Sequence, residues 1–127
     1  MTAVNDDTIL NHVQTVRLPV PELARQLVAH LGATVVAALA GVRDRGLPHK
    51  WAVDGGVTPR PAALTRLQVA HRAWVTVATA EGEDIARAWF LGANPRLDET
   101  PPYLAIREGE FNKVMAAAVA FVDGTDA

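Results

Sequence analysis

Four side chains between positions 43 and 50 have the types and spacing needed to bind phosphate. They are, in chain order, Arg43, Arg45, His49 and Lys50. Basic side chains form charge-assisted hydrogen bonds with phosphate oxygens, and the same types reach base edges in the major groove of DNA. The segment 43–72 holds six basic and two acidic residues, a net +4 in a chain whose total is −2. The sequence therefore predicts a basic surface that contacts DNA, and the alternative is a solvated basic rim without a ligand.

Patterns typical of catalysis or metal binding do not occur in the sequence. The four histidines are His12, His30, His49 and His71. They lack the i, i+4 spacing of a helical zinc site, and no carboxylate stands at metal-ligand spacing from them. His71 falls on an apolar helical pattern, which predicts a core histidine bonded to a carbonyl. Glu108 and Glu110 flank Gly109, an arrangement more typical of a helix boundary than of an acid–base pair. We expect no enzymatic activity, no metal and no cofactor.

Length and composition describe the scaffold that must hold the basic residues. The chain has 127 residues, of which 50% are hydrophobic and 20% charged, enough to bury a core in one domain. It has no cysteine, which excludes disulfides and thiolate metal sites and is compatible with a reducing compartment. No basic cluster precedes an apolar run at the start, and Arg25, Arg43 and Arg45 interrupt the most apolar region. We expect a soluble cytoplasmic protein that does not enter a membrane.

Apolar residues recur at helical spacing along most of the chain. PELARQLVAHLG opens with Pro21 and stops at Gly32, which predicts a first helix. Thr34 is the predicted cap of a second helix that ends at Gly41, and Asp44 that of a third over RGLPHKWA. VDGGVT then reads as a loop because of its glycine pair.

The second half of the chain continues the helical pattern. Thr58 and Pro59 introduce PRPAALTRLQVAHRAWVTVATAEG, the longest predicted helix, for which a strand over VTVAT is the second interpretation. EDIARAWFL, PPYLAIR after a Thr100 cap, and EFNKVMAAAVAFV are the remaining helices. The fold class is therefore all-α, a compact bundle of six to seven helices. Trp89 and Phe90 are expected in its core.

A helix-turn-helix pattern accompanies the basic residues. Ala37, Gly41 and Leu47 form A-x3-G-x5-L: a small residue where two helices touch, a glycine for the turn, and an apolar anchor for the second helix. Gly46 and Pro48 disfavour a recognition helix beyond its first turn, so the motif is degenerate. The alternative is a small helical corner with a solvated basic rim.

The C-terminal half has an ordered series of short motifs. They are Trp89, then Asn94 with Pro95 and Leu97, then Thr100 with Pro101, then the turn 106–109, and last the apolar helix 111–122. This series resembles the toxin-binding domain of the Xre/MbcA/ParS family of antitoxins. The upstream stretch GVRDRGLPHKWAVDGGVTP resembles the degenerate helix-turn-helix that such antitoxins carry ahead of that domain. Residues 1–20 lie outside the resemblance and their start has no clear period, so we predict an N-terminal arm there. We expect a helix-turn-helix-like region over 21–80 and a toxin-binding helical hairpin and tail over 81–127.

The function implied by the resemblance is inhibition of a partner protein. Such antitoxins act as homodimers, silence a RES-domain toxin that destroys NAD, and in many cases repress their own operon on operator DNA. The resemblance implies toxin-binding roles for Asn94, Pro95, Leu97, Phe111, Asp123, Gly124 and Asp126. The acidic end of the chain has the charge to occupy a pocket built for the phosphates of a dinucleotide. Two alternatives are a standalone helix-turn-helix repressor whose hairpin only dimerises, and a domain that binds some other protein.

Overall fold

A computed structural model describes residues 18–124, and all regular secondary structure within this range is helical. Seven α-helices and one 3₁₀ helix follow one another: α1 Val20–Leu31, α2 Ala33–Ala40, α3 Leu47–Trp51, α4 Pro61–Glu81, α5 Glu83–Leu91, the 3₁₀ helix Pro95–Leu97, α6 Pro102–Arg107 and α7 Phe111–Asp123. The all-α prediction is therefore confirmed. The predicted arm, 1–20, lies outside the described residues except for its last three positions, and Val20 already belongs to α1.

The longest helix, α4, is the centre of the bundle. It contacts α1, α2, α5, α6 and α7. Pro61 begins it, with a ring that fixes φ near the helical value and needs no hydrogen-bond acceptor in the first turn. Within the VTVAT stretch Val77 is buried whereas Val75 is exposed, and all five residues are helical. The strand interpretation of this stretch is therefore wrong.

Aromatic side chains fill the space where α1, α4 and α5 meet. The Trp74 ring stacks on His30 at a centroid distance of 4.3 Å and lies 6.0 Å from the ring of Phe90. Trp89 meets Phe90 edge to face at 5.2 Å. Trp89 and Phe90 are both buried, as the sequence predicts. A single apolar core joins residues of the 21–80 region to residues of the 81–127 region.

Glycines end the helices where predicted, but the predicted side-chain caps are wrong. Gly41 has a φ of 81°, and the amides of Gly41 and Val42 donate to the carbonyls of Ala38 and Ala37. This Schellman arrangement satisfies two carbonyls of the last turn of α2.

The three polar residues predicted as caps have other positions. Thr34 lies inside α2, because Gly32 precedes the first helical residue. Asp44 closes a turn instead, with its carboxylate accepting from the amide of Gly46 at 2.8 Å. Thr100 lies one residue too early, since Pro101 occupies the capping position of α6.

Three arginines connect distant helices through backbone carbonyls. Arg25 donates to the carbonyl of Ala52 at 2.8 Å, at the end of α3. Arg66 donates to Arg107 at 3.1 Å, at the end of α6, and Arg87 donates to His30 at 2.8 Å, near the end of α1. Each arginine thus satisfies a carbonyl in a C-terminal turn, where helices leave acceptors unpaired. The positive charge of each arginine also interacts favourably with the negative, C-terminal end of the helix dipole.

No single helix within residues 18–124 has both the length and the apolar composition to cross a bilayer. α1 and α2 meet those criteria only when taken together, and the two are bent by 119° with respect to each other.

Candidate functional site

The basic residues predicted to contact phosphate are all exposed. Arg43 and Arg45 lie in the connection between α2 and α3, and His49 and Lys50 lie on α3. The three residues of the helix-turn-helix pattern have the expected geometry: Ala37 is buried, Gly41 is left-handed, and Leu47 packs partly against the core. This corner brings the four basic side chains within one short stretch of surface.

The second helix of this corner is short. α3 contains five residues, about 7.5 Å of helix at 1.5 Å per residue. A recognition helix reads base edges with its N-terminal residues, but α3 begins with Leu47 and a buried Pro48. Only His49 and Lys50 remain as polar side chains on it. The geometry therefore suits contacts with phosphates better than reading of a base sequence.

An open cleft of about 270 Å³ separates the α2–α3 corner from the start of α4. Trp51, Leu47 and Val57 form part of its apolar wall, and Arg60 and Arg66 line it as well. Arg66 is held in place by its bonds to the carbonyls of Arg107 and Ala62. Sequence reasoning missed this cleft because its walls come from segments far apart in the chain.

Residues 94–97 form a turn that we call the NPRL turn. The side chains of Asn94 and Leu97 both face the interior of the fold there. The Asn94 side chain accepts from the amide of Arg96 at 2.9 Å, and its backbone carbonyl accepts from Leu97 and Glu99, each at 2.9 Å. Asn94 is 4% exposed and Leu97 is 6% exposed. The prediction that these two side chains are available to a toxin needs correction, because both are used inside the fold.

The other residues predicted for toxin binding are more accessible. Pro95 is exposed at the NPRL turn, and Phe111 is half-buried against the core at the start of α7. Asp123 and Gly124 are exposed at the end of α7, where Gly124 is left-handed with a φ of 73°. Asp126 lies outside the described residues. An exposed acidic helix end is thus present at the C-terminal side of the bundle.

A second open cleft lies where α5, the NPRL turn and α7 meet, and we name it the α5–α7 cleft. Its volume is about 290 Å³. The lining residues are Ile85, Ala88, Trp89, Gly92, Ala93, Asn94, Pro95 and Phe121. Ile85 is 44% exposed and is one of several large apolar side chains on the surface of the described residues. The cleft therefore offers a small apolar surface beside the motif that carries the family resemblance.

Trp89 adds an unpaired hydrogen-bond donor to the wall of the α5–α7 cleft. Its indole Nε1–H is buried, and no acceptor among the described residues is within hydrogen-bond distance. Leaving a buried donor unpaired costs about 1–3 kcal/mol. Because this nitrogen is not accessible to solvent, the unpaired donor belongs to the interior of the fold and not to the open surface of the cleft.

A polar network leads from the buried His71 to the protein surface. His71 Nε2 lies 2.8 Å from Oε1 of Gln26, and Gln26 Nε2 donates to Glu22 at 3.0 Å. Glu22 in turn accepts from Arg25 at 2.9 Å. Because the Gln26 amide nitrogen is already a donor, its oxygen accepts, and His71 Nε2 carries the proton. The predicted core histidine bonded to a carbonyl is confirmed, and the carbonyl belongs to the Gln26 side chain.

We expect stability to fall in mild acid because of His71. Burial lowers the pKa of His71 below its ordinary value, and its Nδ1 has no partner among the described residues. The folded state therefore binds fewer protons than the unfolded chain in mild acid. The contribution of neutral His71 to the free energy of unfolding is thus complete above about pH 6.5, the ordinary pKa of histidine, and is lost as the pH falls through the lowered pKa of the folded state. Urea unfolding at pH 7.5 and pH 5 measures this loss.

Two variants isolate this effect. His71→Gln removes the titrating group and should show a smaller fall in the free energy of unfolding between the two pH values. His49→Gln, at an exposed position, is the matched control and should behave as the wild type. An unchanged fall in His71→Gln would show that other groups cause it.

Within residues 18–124, no cluster of three or more histidine, aspartate or glutamate side chains has the arrangement to hold a metal ion. Comparisons with protein-family models, with curated proteins and with solved structures found no match to this chain. Three exposed features of the described residues are therefore candidates for function: the basic α2–α3 corner, the cleft beside it at the start of α4, and the α5–α7 cleft.

Proposed function

We propose that the chain is the antitoxin of a type II toxin–antitoxin system, and that it binds and inhibits an NAD-degrading RES-domain toxin in the cytoplasm. The observation that carries the proposal is the α5–α7 cleft. It lies on the helix that ends near Trp89 and on the NPRL turn, the two motifs that begin the family resemblance. An exposed apolar cleft on a small domain is a typical protein-binding feature.

The folding of the NPRL turn supports this proposal. Asp98 and Glu99 both have positive φ values, 55° and 67°, which are uncommon for residues other than glycine. The bond from the Glu99 amide to the Asn94 carbonyl helps to hold this conformation. Backbone strain of this kind is often found at functional sites. The turn fixes Pro95 at the edge of the cleft, where it is exposed to a partner.

Charge supports an inhibitory role without catalysis. Residues 81–124 contain eight acidic and four basic residues, a net −4. Asp123 lies at the exposed end of α7. An acidic helix end is complementary to a toxin pocket that binds the phosphates of NAD, so it can block that pocket by charge and by volume.

Co-purification is the first test of the proposal. We expect the reading frame beside this gene to encode a RES-domain toxin, and a tagged form of this chain should retain that toxin through size-exclusion chromatography. We expect the chain itself to be a homodimer in that complex. Recovery of the chain without the toxin from cells that make both would contradict the proposal.

A second candidate function is a standalone DNA-binding repressor in which the C-terminal hairpin only dimerises. The exposed basic side chains at the α2–α3 corner favour it, and an antitoxin that represses its own operon would use the same surface. The C-terminal half is acidic and repels the phosphates of DNA, so in this function the DNA contacts are confined to the α2–α3 corner.

We predict that the double variant Arg45→Ala, Lys50→Ala binds its promoter DNA more weakly and with a flatter salt dependence. The slope of log K against log salt is negative, and each lost phosphate contact reduces its magnitude by about 0.9. Loss of both contacts should therefore reduce the magnitude by about 2. Fluorescence anisotropy at several salt concentrations measures the slope.

The control for the DNA prediction is Lys113→Ala on α7. Lys113 is exposed and pairs with Glu110 at 3.0 Å, far along the chain from the corner. This variant should bind DNA as the wild type does. Absence of salt-sensitive binding by the wild type to its own promoter would remove the DNA role.

A further inference from the structure

We propose that residues 1–17 of this chain dock into the open cleft at the start of α4, which we name the α3–α4 cleft. These residues precede the described part of the chain, which begins at Leu18. The inference does not depend on the proposed function, because neither a toxin nor DNA takes part in it. It follows from the walls of the cleft, from the charges on both surfaces, and from the position of Leu18.

The α3–α4 cleft has an apolar wall that the rest of the described chain leaves open. Its volume is about 270 Å³. Leu47, Trp51 and Val57 line it, and Val57 is 50% exposed. Val53, on the same connection between α3 and α4, is 58% exposed. Apolar side chains that cover such a surface are stabilised by removal of both partners from water.

Two arginines make the lining of the cleft positive. Arg60 is exposed there and has no ion-pair partner among residues 18–124. Arg66 donates to the carbonyls of Ala62 and Arg107, which hold the guanidinium in place and leave its charge without a counterion. None of the described residues that line the cleft is acidic. An occupant with carboxylates beside apolar side chains is therefore complementary to it.

Residues 1–17 have this composition. The two acidic residues, Asp6 and Asp7, are adjacent in the sequence. The large apolar residues that follow them are Ile9, Leu10, Val13 and Val16. The segment thus supplies carboxylates for Arg60 and aliphatic side chains for the apolar wall.

The helices α1 and α4 pack side by side and run in the same direction. The ring of His30 stacks on that of Trp74, and the side chain of Gln26 lies 2.8 Å from that of His71. The α4 residue follows its α1 partner by 44 positions in the first pair and by 45 in the second. The start of α1 therefore lies near the start of α4.

This register brings Leu18 close to the α3–α4 cleft. The same offset pairs Leu18 with Ala62 and Ala63, which both line the cleft, and α1 also contacts α3 on the other wall. An extended chain spans about 3.3–3.6 Å per residue, so the five steps from Leu18 to Val13 cover up to about 17 Å. The apolar part of the segment is therefore within reach of the cleft.

Covalent attachment favours this occupant over other acidic and apolar segments. A tethered segment that can reach its site has an effective concentration there on the order of millimolar. A second copy of the chain, or another protein with a similar segment, would need a comparable free concentration to displace it. Even a weak contact is thus sufficient for docking within one chain.

Disulfide formation between introduced cysteines measures the docking in the full chain. The chain has no cysteine of its own, so Thr8→Cys with Thr58→Cys gives a single pair of thiols. Thr58 is exposed and lines the cleft. The control pair is Thr8→Cys with Thr79→Cys, at an exposed threonine near the other end of α4. Non-reducing electrophoresis gives the rate of intramolecular oxidation by oxidised glutathione for each pair.

Loss of the apolar contacts should slow oxidation of the first pair only. Ile9→Ser with Leu10→Ser is introduced into both cysteine pairs. We expect the ratio of the Thr58 rate to the Thr79 rate to fall by about tenfold or more, because an undocked segment loses its local concentration at the cleft. The control pair corrects for any change in the reactivity of the thiol at position 8.

Removal of charge tests the contribution of the arginines. Asp6→Asn with Asp7→Asn should lower the same ratio by a smaller factor, because the apolar contacts remain. If Thr58→Cys does not fold by circular dichroism, Ala62→Cys replaces it, since Ala62 is exposed in the same cleft.

Two results would overturn the proposal. The first is a ratio that the serine substitutions leave unchanged, which would show that the segment passes the cleft without docking. The second is a covalent dimer as the main product of the Thr58 pair at low protein concentration, which would assign the occupant to a second copy. Because no toxin or DNA is present in these experiments, either result leaves the proposed function standing.

Discussion

Replacing Phe90 with alanine is expected to lower the free energy of unfolding by about 3–5 kcal/mol, the range for loss of a large aromatic side chain from a core. Phe90 is 0% exposed and contacts the rings of Trp74 and Trp89. Its removal leaves a cavity between α4 and α5 that a domain of this size cannot easily close. Since small domains are stable by only about 5–15 kcal/mol, the variant should be largely unfolded at modest urea concentrations.

Ile85→Ala is the matched control for Phe90→Ala. It removes an aliphatic side chain from the same helix at a position that is 44% exposed, so the loss should stay below about 1 kcal/mol. Urea unfolding followed by tryptophan fluorescence measures both. A loss below about 1 kcal/mol for Phe90→Ala would show that α5 is not docked on α4 as described.

Truncation after Val122 is expected to leave the toxin complex formed but to restore part of the toxin's NAD consumption. The truncation removes Asp123, Gly124 and Asp126, and retains the α5–α7 cleft with Phe121. If the apolar cleft supplies affinity and the acidic end blocks the NAD site, binding and inhibition should separate in this variant. Calorimetry measures the first, and NAD consumption by the purified complex measures the second.

A full-length variant distinguishes charge from length. Asp123→Asn with Asp126→Asn keeps every residue but removes two negative charges, so it should restore less NAD consumption than the truncation does. Full inhibition by the truncated chain would show that the tail is not the blocking element. Inhibition would then come from obstruction of access elsewhere or from a change in toxin oligomerisation.

Helix positions were predictable from the sequence because their signals are local. The bounds of α5 agree with the predicted EDIARAWFL, since Gly82 and Gly92 flank an amphipathic segment. Gly41 ended α2 as expected, because the Schellman turn there needs a left-handed residue. The boundary around Gly109 followed from the same rule, with the Glu110 amide donating to Ala105 at 3.0 Å.

Features that depend on distant residues were not predictable. Arg66 and Arg87 bond to carbonyls 41 and 57 residues away, and no local pattern indicates those partners. Leu97 follows a turn motif that suggested exposure, but the packing of the NPRL turn on α7 buries it. The α5–α7 cleft joins Ile85 on α5 to Phe121 on α7, so it exists only after the helices assemble.

The NAD concentration in cells that make the toxin is the most direct test of whether this chain inhibits an NAD-degrading toxin. Cells that express the RES-domain toxin that we expect to be encoded beside this gene should lose NAD, and co-expression of the wild-type chain should keep NAD near the level of cells without toxin. Co-expression of Ala88→Trp, which fills the α5–α7 cleft, should protect less than co-expression of Ala116→Trp, which makes the same change at an exposed alanine of α7 outside the cleft. NAD loss that is equal with and without the wild-type chain, at matched toxin levels, would contradict the account.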